Sequence, residues 1–188
     1  SLRSRGLGDV YKRQLLDSKI RAIMDWITVG RYTGYRSSEW CQESQKDCAR
    51  INGWPGDPAL ATTRNDFAFL GDNERRITYE RHLTAELVHH LTCTWRHQKN
   101  GDNGQDVTFS GDRTNRRYCI VAAGLRIYHR SKRLGMKDGE PMGVCKMKGK
   151  VRFITSRKVT ALLREAAQQV LGLDENDPEL KLWSTPSV

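Results

Sequence analysis

The stretch Val88–Ser110, VHHLTCTWRHQKNGDNGQDVTFS, decides how this chain is read. Leu91, Cys93 and Trp95 alternate with Thr92, Thr94 and Arg96, the period-two signature of a strand with one face turned inward. Asn100-Gly101-Asp102-Asn103-Gly104 then offers two Asn-Gly steps, which favour the positive φ values of tight turns. Asp106-Val107-Thr108-Phe109 returns. The segment predicts a β-hairpin with a turn of roughly five residues and Lys99 at its tip.

Outward from the hairpin, the flanks read as mainly helical. Upstream, Phe67–Leu70 is a short apolar strand candidate, and residues 52–66, with Gly53, Pro55, Gly56 and Pro58, read as a loop. Earlier still, Leu16, Ile20, Ile23, Met24 and Ile27 recur at spacings of three and four, the apolar face of a helix that Gly30 should end. Thr33-Gly34 makes a break, and Ser37-Ser38-Glu39 opens a second helix expected to reach about Ala49. Downstream, Ile120, Val121, Gly124, Leu125 and Tyr128 share one face of a helix over about 117–134. Arg126, Arg130 and Arg133 take the other. Gly135 to Gly149 reads as a Gly/Pro-rich connection. Val159, Leu162, Leu163, Ala166 and Val170 mark a last amphipathic helix, ended by Gly172, and an acidic turn follows at 174–178.

The composition is that of a globular domain carrying a cationic surplus. Of 188 residues, 32 are Lys or Arg and 22 Asp or Glu, a net charge of +10. Residues 1–14, SLRSRGLGDVYKRQ, look like a translated adaptor or cloning remnant and are set apart from the domain at 15–188. Discounting their four basic residues and one acid lowers the charge only to +7. The surplus is concentrated. Arg113 to Lys137 holds eight basic residues and no acid, and Pro141 to Arg164 holds seven and no acid. Such runs suit a phosphate-facing surface, with Arg126, Arg130, Arg133, Lys148 and Lys150 as candidate DNA contacts. The five cysteines form no CxxC pair and the histidines no ligand spacing, so no metal or other cofactor is expected. No apolar run has membrane-spanning length, and no secretory leader is evident.

The sharpest motif is Thr33-Gly34-Tyr35-Arg36-Ser37-Ser38-Glu39-Trp40. It resembles the first-arginine box of tyrosine recombinases, a Thr-Gly-x-Arg-x-Ser-Glu segment that opens a helix behind the scissile phosphate. The residue types suit that role. Glycine lets backbone come close, a helix start offers free N–H groups, and the Arg36 fork grips two phosphate oxygens. Glu39, three residues on, either holds the arginine or caps the helix. About sixty residues later, Lys99 at a hairpin tip matches the family's lysine, which protonates the departing 5′ oxygen. Together with Trp95-Arg96-His97-Gln98-Lys99-Asn100-Gly101, the box looks closest to integrase-like proteins of mobile elements in eukaryotic microbes. The resemblance runs from Leu15 to Trp183, on about twenty specific positions.

The resemblance implies an α+β, mostly helical catalytic domain with a small antiparallel sheet or hairpin. It also implies double-stranded DNA as partner, an intracellular or nuclear setting, and a parent that is oligomeric on DNA. Arg36 and Lys99 would be catalytic, with Glu39 in support. The pattern then breaks. The family needs a His-x-x-Arg segment, a further His or Trp, and a tyrosine nucleophile. Here the last tyrosine is Tyr128 and the last histidine His129, both too early in chain order. Leu182-Trp183-Ser184-Thr185 resembles only the approach to His-x-x-Arg. The expectation is a partial catalytic domain, inactive alone. The alternative reading is a non-catalytic basic nucleic-acid-binding module.

Overall fold

A computed structural model describes residues 18–42, 61–96 and 103–183. Its long helices are α1 (Lys19–Thr33), α3 (Ile120–Arg133) and α4 (Ser156–Leu171), and α2 (Ser37–Trp40) is a single turn. The strands are β1 (Phe67–Leu70), β2 (His90–Trp95), β3 (Gln105–Ser110), β4 (Val144–Met147) and β5 (Lys150–Phe153). They form a three-stranded antiparallel sheet in the order β1-β2-β3 and a separate two-stranded ribbon, β4-β5. The class is α+β with small antiparallel sheets. Strands claim too large a share for the mostly helical balance expected from the sequence.

The hairpin forms as its alternation predicts. Cys93 pairs with Val107 and Trp95 with Gln105, while β1 covers the other edge of β2, setting Phe67 opposite Cys93. Leu91 and Cys93 are fully buried, whereas Thr92 and Thr94 meet Thr108 and Asp106 across the strands through side-chain hydrogen bonds. The turn bearing Lys99 lies outside the described residues.

Helix α1 starts at the Ser18 cap, whose hydroxyl accepts from the Arg21 N–H, and continues through Gly30. It ends instead at Gly34, whose φ of +69° few other residues tolerate. Its buried face also departs from the expected one. Ile23 is buried, but Ile20 and Met24 are exposed, and Ala22, Trp26, Val29 and the acid Asp25 face inward instead. Trp26 anchors the core, stacking on Trp40 at 5.3 Å between ring centroids and meeting Phe67 at 6.2 Å.

Two further expectations are corrected. The second helix stops at Trp40, because Cys41 turns extended and the Gln42 N–H donates to the Ile154 carbonyl at 3.0 Å. Tertiary pairing outcompetes helix continuation there. The Gly/Pro-rich connection hides the ribbon. Lys148 (φ +47°) and Gly149 (φ +77°) make a two-residue turn with both central residues left-handed, the arrangement that suits the twist of two strands. Helix α3 begins at Ile120, capped by Cys119 and three residues inside the expected start, and α4 ends at Gly172 as read. Val159 and Ala167 are the buried residues of α4, and Val170 is exposed.

Candidate functional site

The segment that carries Arg36 is fixed at both ends. On its N-terminal side, the Thr33 hydroxyl donates to the Val29 carbonyl at 3.0 Å and accepts the Tyr35 N–H at 3.2 Å. This locks the exit from α1. Arg36 then sits at the N-cap of α2, in extended backbone (φ −72°, ψ 155°). Its N–H donates to the Glu39 carboxylate at 2.6 Å. Of the two roles open to Glu39, the structure selects the cap. The Glu39 carbonyl accepts both the N–H and the hydroxyl of Thr62, at 2.6 and 2.8 Å. With one turn of helix, α2 supplies little dipole at Arg36. That side chain is half-buried and has no ion-pair partner among the described residues.

Tyr35 ties this segment to the hairpin. It packs edge-on against Trp95 at 5.6 Å, and its hydroxyl donates to the Thr94 carbonyl at 3.4 Å. Burial pushes its phenol well above the usual range. The start of the connection after β2 is tied down as well. Arg96 bonds Asp66 at 2.5 Å and donates to the Ala61 carbonyl at 3.0 Å. Asp66 is buried and also accepts from the N–H and hydroxyl of Thr63. Tyr35, Glu39, Thr62, Asp66, Thr94, Trp95 and Arg96 thus line one small polar depression. On its far side, α2 seats against the base of the ribbon, where a side chain at Gly143 would strike the Trp40 carbonyl.

The candidate DNA contacts divide sharply. Arg126 and Arg130 do not form an open face. Arg130 is 1% exposed and pairs with Asp25, itself 1% exposed, and Arg126 donates to the same carboxylate at 2.7 Å. Arg21 approaches it at 3.5 Å. These arginines clamp α3 to α1. A three-residue offset on a helix is only 60° short of a full turn, so the cationic row of α3 runs beside the buried face rather than opposite it. Arg133, Lys148 and Lys150 are exposed, the last two on the β4-β5 ribbon. The sequence reading missed Asp25, Asp66 and Arg96. The available signal was Asp25 within the apolar stripe of α1, a place where an acid needs a partner.

Among the described residues no group of His, Cys, Asp and Glu is arranged to hold a metal ion. None of their helices is long and apolar enough to cross a membrane. Compared with family models, with curated proteins and with solved structures, the chain finds no match.

Proposed function

We propose that this chain is part of the catalytic domain of a tyrosine recombinase, an integrase-like protein acting on double-stranded DNA. In this reading Arg36 grips the scissile phosphate and Lys99 serves the leaving oxygen. The observation that carries it is the Tyr35 latch. The residue beside Arg36 is bonded to the strand that leads into the Lys99 turn, so a cation with no described partner and the lysine-bearing hairpin share one mount. A phosphate held at Arg36 would lie on the segment that Tyr35 fastens to the end of β2. The chemistry of such recombinases is attack by a tyrosine to give a 3′-phosphotyrosine. Arg36 stabilises charge on the phosphate oxygens and Lys99 delivers a proton.

A double-mutant cycle on duplex DNA tests the shared mount. Charge-assisted hydrogen bonds to phosphate are worth about 1.5–3 kcal/mol. Arg36→Ala and Lys99→Ala should therefore each weaken binding at low salt by roughly 10-fold or more. If both touch one phosphate, the double variant should lose less than the two losses combined, by at least about 0.5 kcal/mol. Strict additivity, or no duplex binding by the parent chain at low salt, sinks the reading.

A further inference from the structure

We propose that the β4-β5 ribbon is a second DNA-contacting element, one that inserts into the major groove of duplex DNA and holds phosphates on both walls. This rests on the DNA-binding reading above but concerns residues other than Arg36 and Lys99.

The argument starts from where cations are paired and where they are not. Arg21, Arg64, Arg96, Arg126, Arg130 and Lys132 all hold carboxylates. On the ribbon, Lys146, Lys148, Lys150 and Arg152 are exposed and have no ion-pair partner among the described residues. No acid occurs between Pro141 and Arg164, so the segment itself supplies no counter-charge. Beside the ribbon, an isolated bridge joins Ser18 to Lys146 and brings in Lys19, which shares a shallow depression with Thr155, Arg157 and Lys158. A field of one sign, left open on one projection, is built for a polyanion.

The register says how the polyanion fits. Residues directly opposite in an antiparallel pair point to the same face. Lys150 and Arg152 stand opposite Met147 and Cys145, so they share one face. Lys146 stands opposite Val151 on the other, and Lys148 is at the tip. Cations on both faces of a narrow ribbon suit a slot with charge on each side, better than a flat surface with charge below. The major groove is such a slot, about 12 Å wide and 8.5 Å deep, and it admits a two-stranded ribbon. Val144 and Cys145 seat the base of β4 in the core, so the projecting part runs from Lys146 to the tip, roughly 7 Å at 3.3 Å per residue, and the long Lys148 side chain carries the charge onward toward the floor. Lysines dominate, and they act as point charges, so the ribbon holds DNA without reading its sequence. The tight turn keeps the tip slim, and Lys148 places an ammonium there at the cost of a left-handed backbone.

The test compares the full chain with a variant carrying Lys146→Gln, Lys148→Asn, Lys150→Gln and Arg152→Gln. Asparagine at 148 tolerates the positive φ. All four side chains are exposed, and an unchanged thermal melt verifies the fold. A two-site variant, Lys148→Asn with Lys150→Gln, serves if the larger one melts early. Binding is measured on a plain 30-base-pair duplex and on one whose major groove is filled by glucosylated cytosines. The parent chain should bind the plain duplex at least 10-fold more tightly than the filled one. The four-site variant should bind the plain duplex at least 10-fold more weakly and lose about 0.9 of salt slope for each of the four contacts removed, a total of about 3.6. It should no longer distinguish the two duplexes. A parent chain that binds no duplex at low salt refutes the DNA reading as a whole. A variant that matches the parent in affinity and slope refutes the ribbon alone. A parent chain that binds both duplexes equally refutes insertion into the groove.

Discussion

Replacing Asp25 by Asn should cost this protein a large part of its stability, because one buried carboxylate is the shared partner of two guanidiniums. Arg130 is 1% exposed and cannot turn to water, whereas Arg126, with a side chain 21% exposed, can. Arg21, at 41%, is already largely hydrated and adds little. The loss is therefore set by Arg130. Removing one partner of a buried pair strands the other charge, at about 3–5 kcal/mol. For a chain of this length each kcal/mol lowers the melting temperature by about 2–4 °C, so Asp25→Asn should melt on the order of 10 °C early. Urea unfolding followed by circular dichroism gives the free energy directly. Adding Arg130→Met to Asp25→Asn removes the stranded charge and keeps the volume, so the double variant should recover at least about 1–2 kcal/mol. If Asp25→Asn unfolds within about 1 kcal/mol of the parent, or the double variant is no more stable than the single one, the clamp is not buried as described. Arg126→Gln adds a functional readout. Its duplex affinity should stay within about twofold of the parent, since that arginine faces Asp25 rather than solvent.

Two further outcomes follow from the tyrosines and the thiols. Incubated with a nicked suicide duplex, the chain should give no protein–DNA adduct on denaturing electrophoresis. Tyr35, the tyrosine beside Arg36, is buried and bonded to Thr94, and its phenol is held protonated; an adduct mapping to any tyrosine from Tyr32 to Tyr128 would overturn this. Alkaline pH should destabilise the fold. Burial pushes the Cys93 thiol from its ordinary value of 9.0 up to about 12. A raised folded-state value means the unfolded chain releases its proton first, so stability is intact below pH 9 and falls through the interval up to about 12. Tyr35 adds to the fall above pH 10, its phenol being shifted in the same direction. Cys93→Ser should flatten the loss between pH 9 and 10, and an unchanged slope would show that Cys93 ionises freely in the folded protein.

Local signals in the chain were enough for the elements whose cause is local. The alternation of Leu91, Cys93 and Trp95 placed β2, and two Asn-Gly steps placed the return to β3, because strand period and turn chemistry are properties of neighbours in sequence. Gly34 and Gly172 end their helices by backbone freedom alone, although the first was misplaced at Gly30, where glycine is simply tolerated within a helix. The three-residue spacing of Arg36 and Glu39 was legible as a pairing, but the choice between holding the arginine and capping the helix came from the structure.

Tertiary structure decided whatever depends on partners distant in the chain. The second helix stops at Trp40 because Gln42 pairs with Ile154, more than a hundred residues away. Arg126 and Arg130 looked like an open cationic face, since charge and period alone mark a helix side without saying what packs there. Asp25, 101 and 105 residues away along the chain, made that side an interior ion cluster. The β4-β5 ribbon was hidden because its turn uses a lysine where the usual signal is asparagine before glycine, a strain that only the paired strands sustain. The sequence alone thus determined which segments bend, extend or coil. Packing determined which charges were buried to hold the domain together and which were left facing out, because desolvation is a property of the assembled interior and not of any one segment.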